Sequence, residues 1–144
     1  MEDTAGMLSH TAEYALRAVL YLAQGEDADR FVQVGEIAPA LRIPRNYLSK
    51  ILHLLARQGV LVSTRGRLGG FRLAAPPDRL CLATVVSPFG SLGETRHCLL
   101  GRPECSDRTA CAAHARWKDV AERVAAFFRE TTVAELLQGA AVAT

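Results

Sequence analysis

The sequence predicts a mainly α chain with one small β-hairpin: a winged helix-turn-helix domain followed by a long C-terminal dimerisation helix. Three observations predict it. Two short stretches with helical spacing meet at a turn within residues 34–57, a β-branched run and a glycine-rich turn follow at 60–74, and an aromatic helical seam begins at 113. The charge pattern gives this arrangement a purpose. Between Glu36 and Asp78 there is no acidic residue, whereas Arg42, Arg45, Lys50, Arg57, Arg65, Arg67 and Arg72 all fall there, a block of +7 in a chain of net charge +2. The remainder is net −5, the difference between those two values. Such a split is the electrostatic footprint of a segment that meets a polyanion.

Residues 1–8 are assigned no structure, and Met7 could serve as the start. From Ser9, a suitable N-cap, Ala12, Ala15, Leu16, Val19, Leu20, Leu22 and Ala23 recur at helical spacing to about Gln24. On the outer face Glu13 and Arg17 stand four apart, in the favourable order for an ion pair. Val34, Ile37, Ala38 and Leu41 give a short helix in which Pro39 removes a donor and should introduce a kink. Arg42-Ile43 then turns the chain, and Pro44 suits the first position of a second helix. Leu48, Ile51, Leu52 and Leu55 are its buried stripe, with Gly59 as the stop. The opposite face carries Asn46, Ser49, Lys50, His53 and Arg57, with Arg45 and Tyr47 near its start.

Val60–Arg65 and Phe71–Ala74 pair around Gly66-Arg67-Leu68-Gly69-Gly70, giving a hairpin with a basic tip. In a winged helix the second short helix enters the major groove and the wing arginines reach phosphates or the adjoining minor groove. Leu80, Leu82, Val85 and Val86 suggest a short helix stopped by Pro88 and Gly90, with Cys81 as a small buried apolar residue. Beyond the following loop, Ala113, Trp117, Val120, Ala121, Val124, Phe127 and Phe128 form one continuous seam. It serves either packing within the chain or the joining of two copies, and a winged helix that reads a palindromic operator needs such a pairing. Thr132-Val133-Ala134-Glu135 has the form of a capping box opening a last helix. The domain boundaries are therefore 8–90 for DNA binding, 91–112 for the loop, and 113–138 for dimerisation.

The segment from Cys98 to His114 gathers Cys98, Cys105, Cys111 and His114 without hydrophobic periodicity, so it needs a reason other than apolar burial to be ordered. No apolar run reaches the roughly 18 residues of a membrane span, and the N-terminus lacks the pattern of a secretory signal, so the expected compartment is the cytoplasm. There, clustered thiols point to metal ligation or redox chemistry and away from disulfides. Spacing alone leaves zinc and an iron-sulfur cluster equally open, with a bare thiol switch third. Arg96, Arg102 and Arg108 beside the thiols favour the thiolate in all three cases. His97 is the nearest substitute for His114. An enzyme is not expected, because there is no paired-carboxylate setting, phosphate-binding glycine loop or nucleophile motif. A redox-active thiol is the one enzymatic version left.

Ser9-His10-Thr11-Ala12-Glu13-Tyr14-Ala15-Leu16-Arg17, Tyr47-Leu48-Ser49-Lys50-Ile51-Leu52, Arg65-Gly66-Arg67-Leu68-Gly69-Gly70-Phe71-Arg72-Leu73 and the cysteine segment with Trp117-Lys118-Asp119 occur together in order. In these motifs, across Leu8 to Leu137, the chain resembles the bacterial winged-helix regulators typified by IscR and NsrR. The resemblance implies a homodimeric regulator, here a repressor, whose operator binding follows the state of a loop-bound iron-sulfur cluster. Redox conditions or nitric oxide would be among the signals. By position, it implies DNA contacts at Pro44, Arg45, Asn46, Tyr47, Ser49 and Lys50, and at Arg65, Gly66 and Arg67 of the wing. It also implies cluster ligation by Cys98, Cys105, Cys111 and His114 in the IscR-like branch, which the Cys-x-x-His ending favours, with a 2Fe-2S cluster preferred to 4Fe-4S. In the NsrR-like branch the fourth ligand would be Glu13 of the partner subunit. Six residues separate Cys98 from Cys105, one more than is common in the family, and Arg45 with Lys50 makes this recognition helix more basic than IscR's.

Overall fold

The structure, a computed structural model, describes residues 8–90 and 113–138. Its first helix, α1 (His10–Ala23), starts where Ser9 accepts from the Ala12 amide at 3.1 Å. The same hydroxyl donates to Phe89 O at 3.1 Å, so the cap also ties the helix start to the end of the domain. Helix α1 buries Ala12, Ala15, Ala18, Val19 and Leu20. Its small side chains let α3 (Arg45–Arg57), α4 (Leu82–Val86) and α6 (Val133–Leu137) pack closely around it. Leu48, Ile51, Leu52 and Leu55 of α3 are buried as expected, each contributing about 1.5–3 kcal/mol of hydrophobic stabilisation.

Several local expectations change in the folded chain. Arg17 is not directed at Glu13; it donates to Leu41 O at 2.8 Å, and its guanidinium lies 5.9 Å from the Tyr14 ring centroid. A buried backbone carbonyl at the end of a neighbouring helix is a better-shielded partner than an exposed carboxylate on the same helix. Helix α2 (Val34–Leu41) runs through Pro39 and ends two residues later, where Arg42 takes a left-handed conformation with φ 58°. Pro39 and Gly35, whose carbonyl loses its partner, are both exposed, so water can substitute. Pro44, with ψ 132°, is the N-cap of α3 and not its first helical residue.

Strands β1 (Leu61–Thr64) and β2 (Gly70–Leu73) are antiparallel, with Leu61 opposite Leu73 and Thr64 opposite Gly70. Phe71 also exchanges two backbone hydrogen bonds of 2.8 Å with Val32, which attaches the hairpin to the segment leading into α2. This attachment explains Gly70: a Cβ there would lie 2.4 Å from Val32 O, and its φ of +137° disfavours any side chain.

The C-terminal part returns to the same core. Cys81 and Thr132 form a β-bridge flanked by Leu82 N–H to Thr131 O at 2.9 Å and Val133 N–H to Leu80 O at 2.8 Å. Leu80 is thus extended backbone ahead of α4, and Pro88 stands within a 3-10 turn, Ser87–Phe89, that continues beyond it. Cys81 is half-buried, not a closed core residue, with its sulfur 3.1 Å from Thr84 Oγ1. Helix α5 (His114–Glu130) splits the expected seam. Phe128 and Ala125 are buried and Val124 is half-buried, while Val120 and Phe127 are 47% and 51% exposed. The capping box of α6 forms as expected, with Thr132 and Glu135 each bonding the other's backbone amide.

The glycines of the hairpin give a graded prediction. Gly70→Ala should lower stability by about 2–4 kcal/mol through combined strain and overlap. Gly66→Ala, at φ +102° but with open space around its Cβ, should cost only about 1 kcal/mol. Denaturant midpoints of the two variants measure the difference.

Candidate nucleic-acid interface

The polar face of α3 and the hairpin wing are held in one frame by side chains from three elements. Asn46, Lys50, His53 and Arg57 are exposed on α3, Ser49 is half-buried, and Arg65, Gly66 and Arg67 are exposed in the wing. The rings of His53 and Phe71 meet in a T-shaped contact with centroids 5.2 Å apart, joining α3 to the wing. Gln33 donates from Nε2 to Arg67 O at 2.8 Å, fixing the wing tip to the start of α2. Two residues on, a Cβ on Gly35 would lie 3.9 Å from the Arg45 guanidinium. The first turn of α2 therefore neighbours both Arg67 and Arg45. The sequence offered no signal for Gln33, which looks like any polar residue ahead of a helix.

Not every basic or polar residue of the region is available for a ligand. Arg72 donates to Asp29 O at 3.2 Å, has the Asp29 carboxylate at 3.8 Å, and lies 4.6 Å over the Phe31 ring. It braces the wing against the α1–α2 connection. Among the described residues, Arg45, Lys50, Arg65 and Arg67 have no carboxylate within ion-pair distance. Tyr47 is bound inward: its hydroxyl pairs with Thr11 Oγ1, and its ring is edge-on to Tyr14 at 5.6 Å. With 37% of its surface exposed, it orients the start of α3 on α1 and keeps one edge at the surface.

The acidic residues nearest the wing are paired with cations of the α1–α2 connection and the hairpin, Glu36 with Arg30 and Asp29 with Arg72. Glu36 accepts from both Arg30 nitrogens, at 2.5 and 3.2 Å, and from the Tyr21 hydroxyl at 3.3 Å. The Arg30 hydrogen bonds hold the Glu36 carboxyl below its ordinary range. Their charges thus offset one another and leave the α3 and wing surface cationic. The N-terminal end of α3, which has no acid in its first turn, adds its partial positive charge.

Of the expected metal ligands, Cys98, Cys105 and Cys111 lie outside the described residues. His114 is the first residue of α5 and only 7% exposed, so it is withdrawn from solvent. Glu13 is exposed on α1, next to the Tyr14 that packs on Tyr47. Among the described residues, no three His, Cys, Asp or Glu side chains gather closely enough to hold a metal ion. Nor is any described helix long and apolar enough to cross a membrane.

A family model described as Rrf2, iron-dependent transcriptional regulator, matches residues 8–139. The chain belongs to the Rrf2 family. A helix-turn-helix transcriptional regulator of Aquifex aeolicus is 37% identical over 133 residues, covering 91% of each chain. The regulator IscR of Vibrio atlanticus is 28% identical over 131 residues, covering 91% of this chain and 75% of that one. Among solved structures, CymR, the global cysteine regulator of B. subtilis, superposes with a TM-score of 0.77 at 20% identity, covering 93% of this chain and 98% of its own. The IscR of T. potens gives 0.71 at 21%, covering 91% and 85%. This Rrf2-family member is thus a DNA-binding transcriptional regulator with the winged-helix fold. Its relatives carry the names of regulators and not of enzymes.

The Arg30–Glu36 brace has a defined pH signature. Because the folded carboxyl titrates below its unfolded value, its contribution is complete above the ordinary glutamate range and fades as acid protonates Glu36. Stability curves of wild type and Glu36→Gln should therefore differ at neutral pH and converge in acid. Curves that stay parallel throughout would remove the brace from the account.

Proposed function

We propose that this chain acts as a homodimeric repressor that binds a palindromic operator under the control of an iron-sulfur cluster held by the 98–114 segment. The observation that carries the DNA side is the rigid frame joining an acid-free recognition helix to a cationic wing through His53–Phe71 and Gln33–Arg67. In this reading Asn46, Ser49 and Lys50 meet base edges in the major groove, with Arg45 and Pro44 at the helix start against the backbone. Arg65, Gly66 and Arg67 follow the phosphates beside the adjoining minor groove. Tyr47 serves chiefly to position this helix. The exposed Val120 and Phe127 of α5 support a second copy as the partner of that face.

For the cluster, the donor set is chemically suitable: three soft thiolates with an imidazole suit iron-sulfur clusters and zinc alike. Cys98, Cys105, Cys111 and His114 would hold it, and the shielding of His114 from solvent fits a ligand nitrogen. Glu13 of the partner subunit is the rival fourth ligand. When bound, a cluster supplies a state that responds to redox conditions, iron supply or nitric oxide. The chain supplies the connection: α5 begins at His114, and the segment beyond its far end is paired with residues 80–82, which lead into α4 and hence to α1. A coupling of about 1.4–3 kcal/mol along this route changes operator affinity tenfold to a hundredfold. A zinc-stabilised regulator or a thiol switch uses the same cysteines.

Three measurements bear on these assignments. Arg65→Ala should weaken binding to all sequences and reduce the salt slope by about one unit. Changes at Asn46 or Lys50 should instead alter which bases are preferred, and a uniform loss across sites would oppose direct readout. Protein prepared without oxygen should show visible absorption with matching iron and sulfide. Colourless protein containing zinc, or identical operator affinity with and without the cluster, would sink the cluster reading.

A further inference from the structure

Phosphate contacts do not account for the apolar residue at the outermost turn of the wing. Gly66-Arg67-Leu68-Gly69 forms a β-turn closed by the Gly69 N–H donating to Gly66 O at 3.0 Å, with Arg67 and Leu68 at its two central positions. Leu68 is 92% exposed, against 37–51% for the other exposed large hydrophobic residues described. A lone surface leucine is ordinary. This one differs in its mounting and its neighbours.

The tip is fixed from below. Gln33 holds the Arg67 carbonyl, and the backbone of Thr64 and Arg65 presses against Gly69 so closely that a Cβ there would lie 2.4 Å from Thr64 O. The same hairpin tip carries Arg65 and Arg67, exposed and without carboxylate partners among the described residues. A rigid cationic tip that presents one bare aliphatic side chain matches the minor groove: cations neutralise the flanking phosphates, and an apolar group enters between base steps as a wedge.

We propose that Leu68 is a specificity-determining residue, inserted into the minor groove as a wedge that favours an easily unstacked pyrimidine–purine step beneath the wing. The proposal rests on the reading that the wing meets DNA. It adds an indirect component to recognition, since such a step is selected for its deformability and not by hydrogen bonds.

The test uses the full chain and duplexes enriched from a random pool by the wild-type protein. Leu68→Ala should bind them about tenfold more weakly, the order expected for losing the burial of one aliphatic side chain in the complex. It should keep the wild-type salt slope, bend the duplex less in a circular-permutation assay, and lose preference at the step below the wing. Leu68→Met should restore most of the bend. Thermal unfolding of Leu68→Ala should match wild type, because the side chain packs on nothing in the free protein. If Leu68→Ala binds, bends and selects as wild type does while Arg67→Ala lowers the salt slope, the wedge is wrong and the wing-phosphate reading stands. If neither variant changes anything, both fail.

Discussion

The double backbone pairing between Val32 and Phe71 is the constraint on which the surface formed by α3 and the wing depends. A two-stranded hairpin is marginally stable alone, and each backbone hydrogen bond contributes only about 1 kcal/mol net. The value of this pair is geometric. It makes the α1–α2 connection a third partner of the wing, and every other wing contact follows from that attachment. Gly70 must lack a side chain because Val32 O occupies the space, and Gln33 reaches Arg67 because it follows Val32. Phe71, held by its backbone, brings its ring into T-shaped contact with His53. The wing is thereby joined by contacts to both the start of α2 and helix α3.

A second backbone connection, between residues 80–82 and 131–133, does for the C-terminal helix what Val32–Phe71 does for the wing. It returns the chain after α5 to the core around α1, so α5 is fixed at its far end and begins at the buried His114. One side of α5 is used inside the chain, through Ala125 and Phe128, and Val120 and Phe127 are left outside. The apolar width of the seam therefore exceeds what its packing within the chain uses.

Features set by neighbouring residues were legible in the sequence. The Ser9 cap, the Leu48-Ile51-Leu52-Leu55 stripe, the hairpin around Gly66 and the Thr132–Glu135 capping box rest on spacing alone and are present as expected. Features that depend on a partner far along the chain were not. Arg17 and Arg72 looked like surface charge, yet one bonds a helix-end carbonyl and the other braces the wing through Asp29 and Phe31. No spacing rule joins Tyr47 to Thr11, yet their hydroxyls pair. Cys81 looked like core filling and is a half-buried bridge residue.

The sequence by itself determined the elements, their order and the sign of the surface, because helical and strand periodicity, caps, glycine turns and the absence of acids between Glu36 and Asp78 are local properties. Only the tertiary structure decided which of those charges remain unpaired, which half of the α5 seam is buried, and how the wing is locked to α2 and α3. These outcomes turn on contacts between residues tens of positions apart, and no spacing rule carries the distance at which Gln33 meets Arg67 or Val32 meets Phe71.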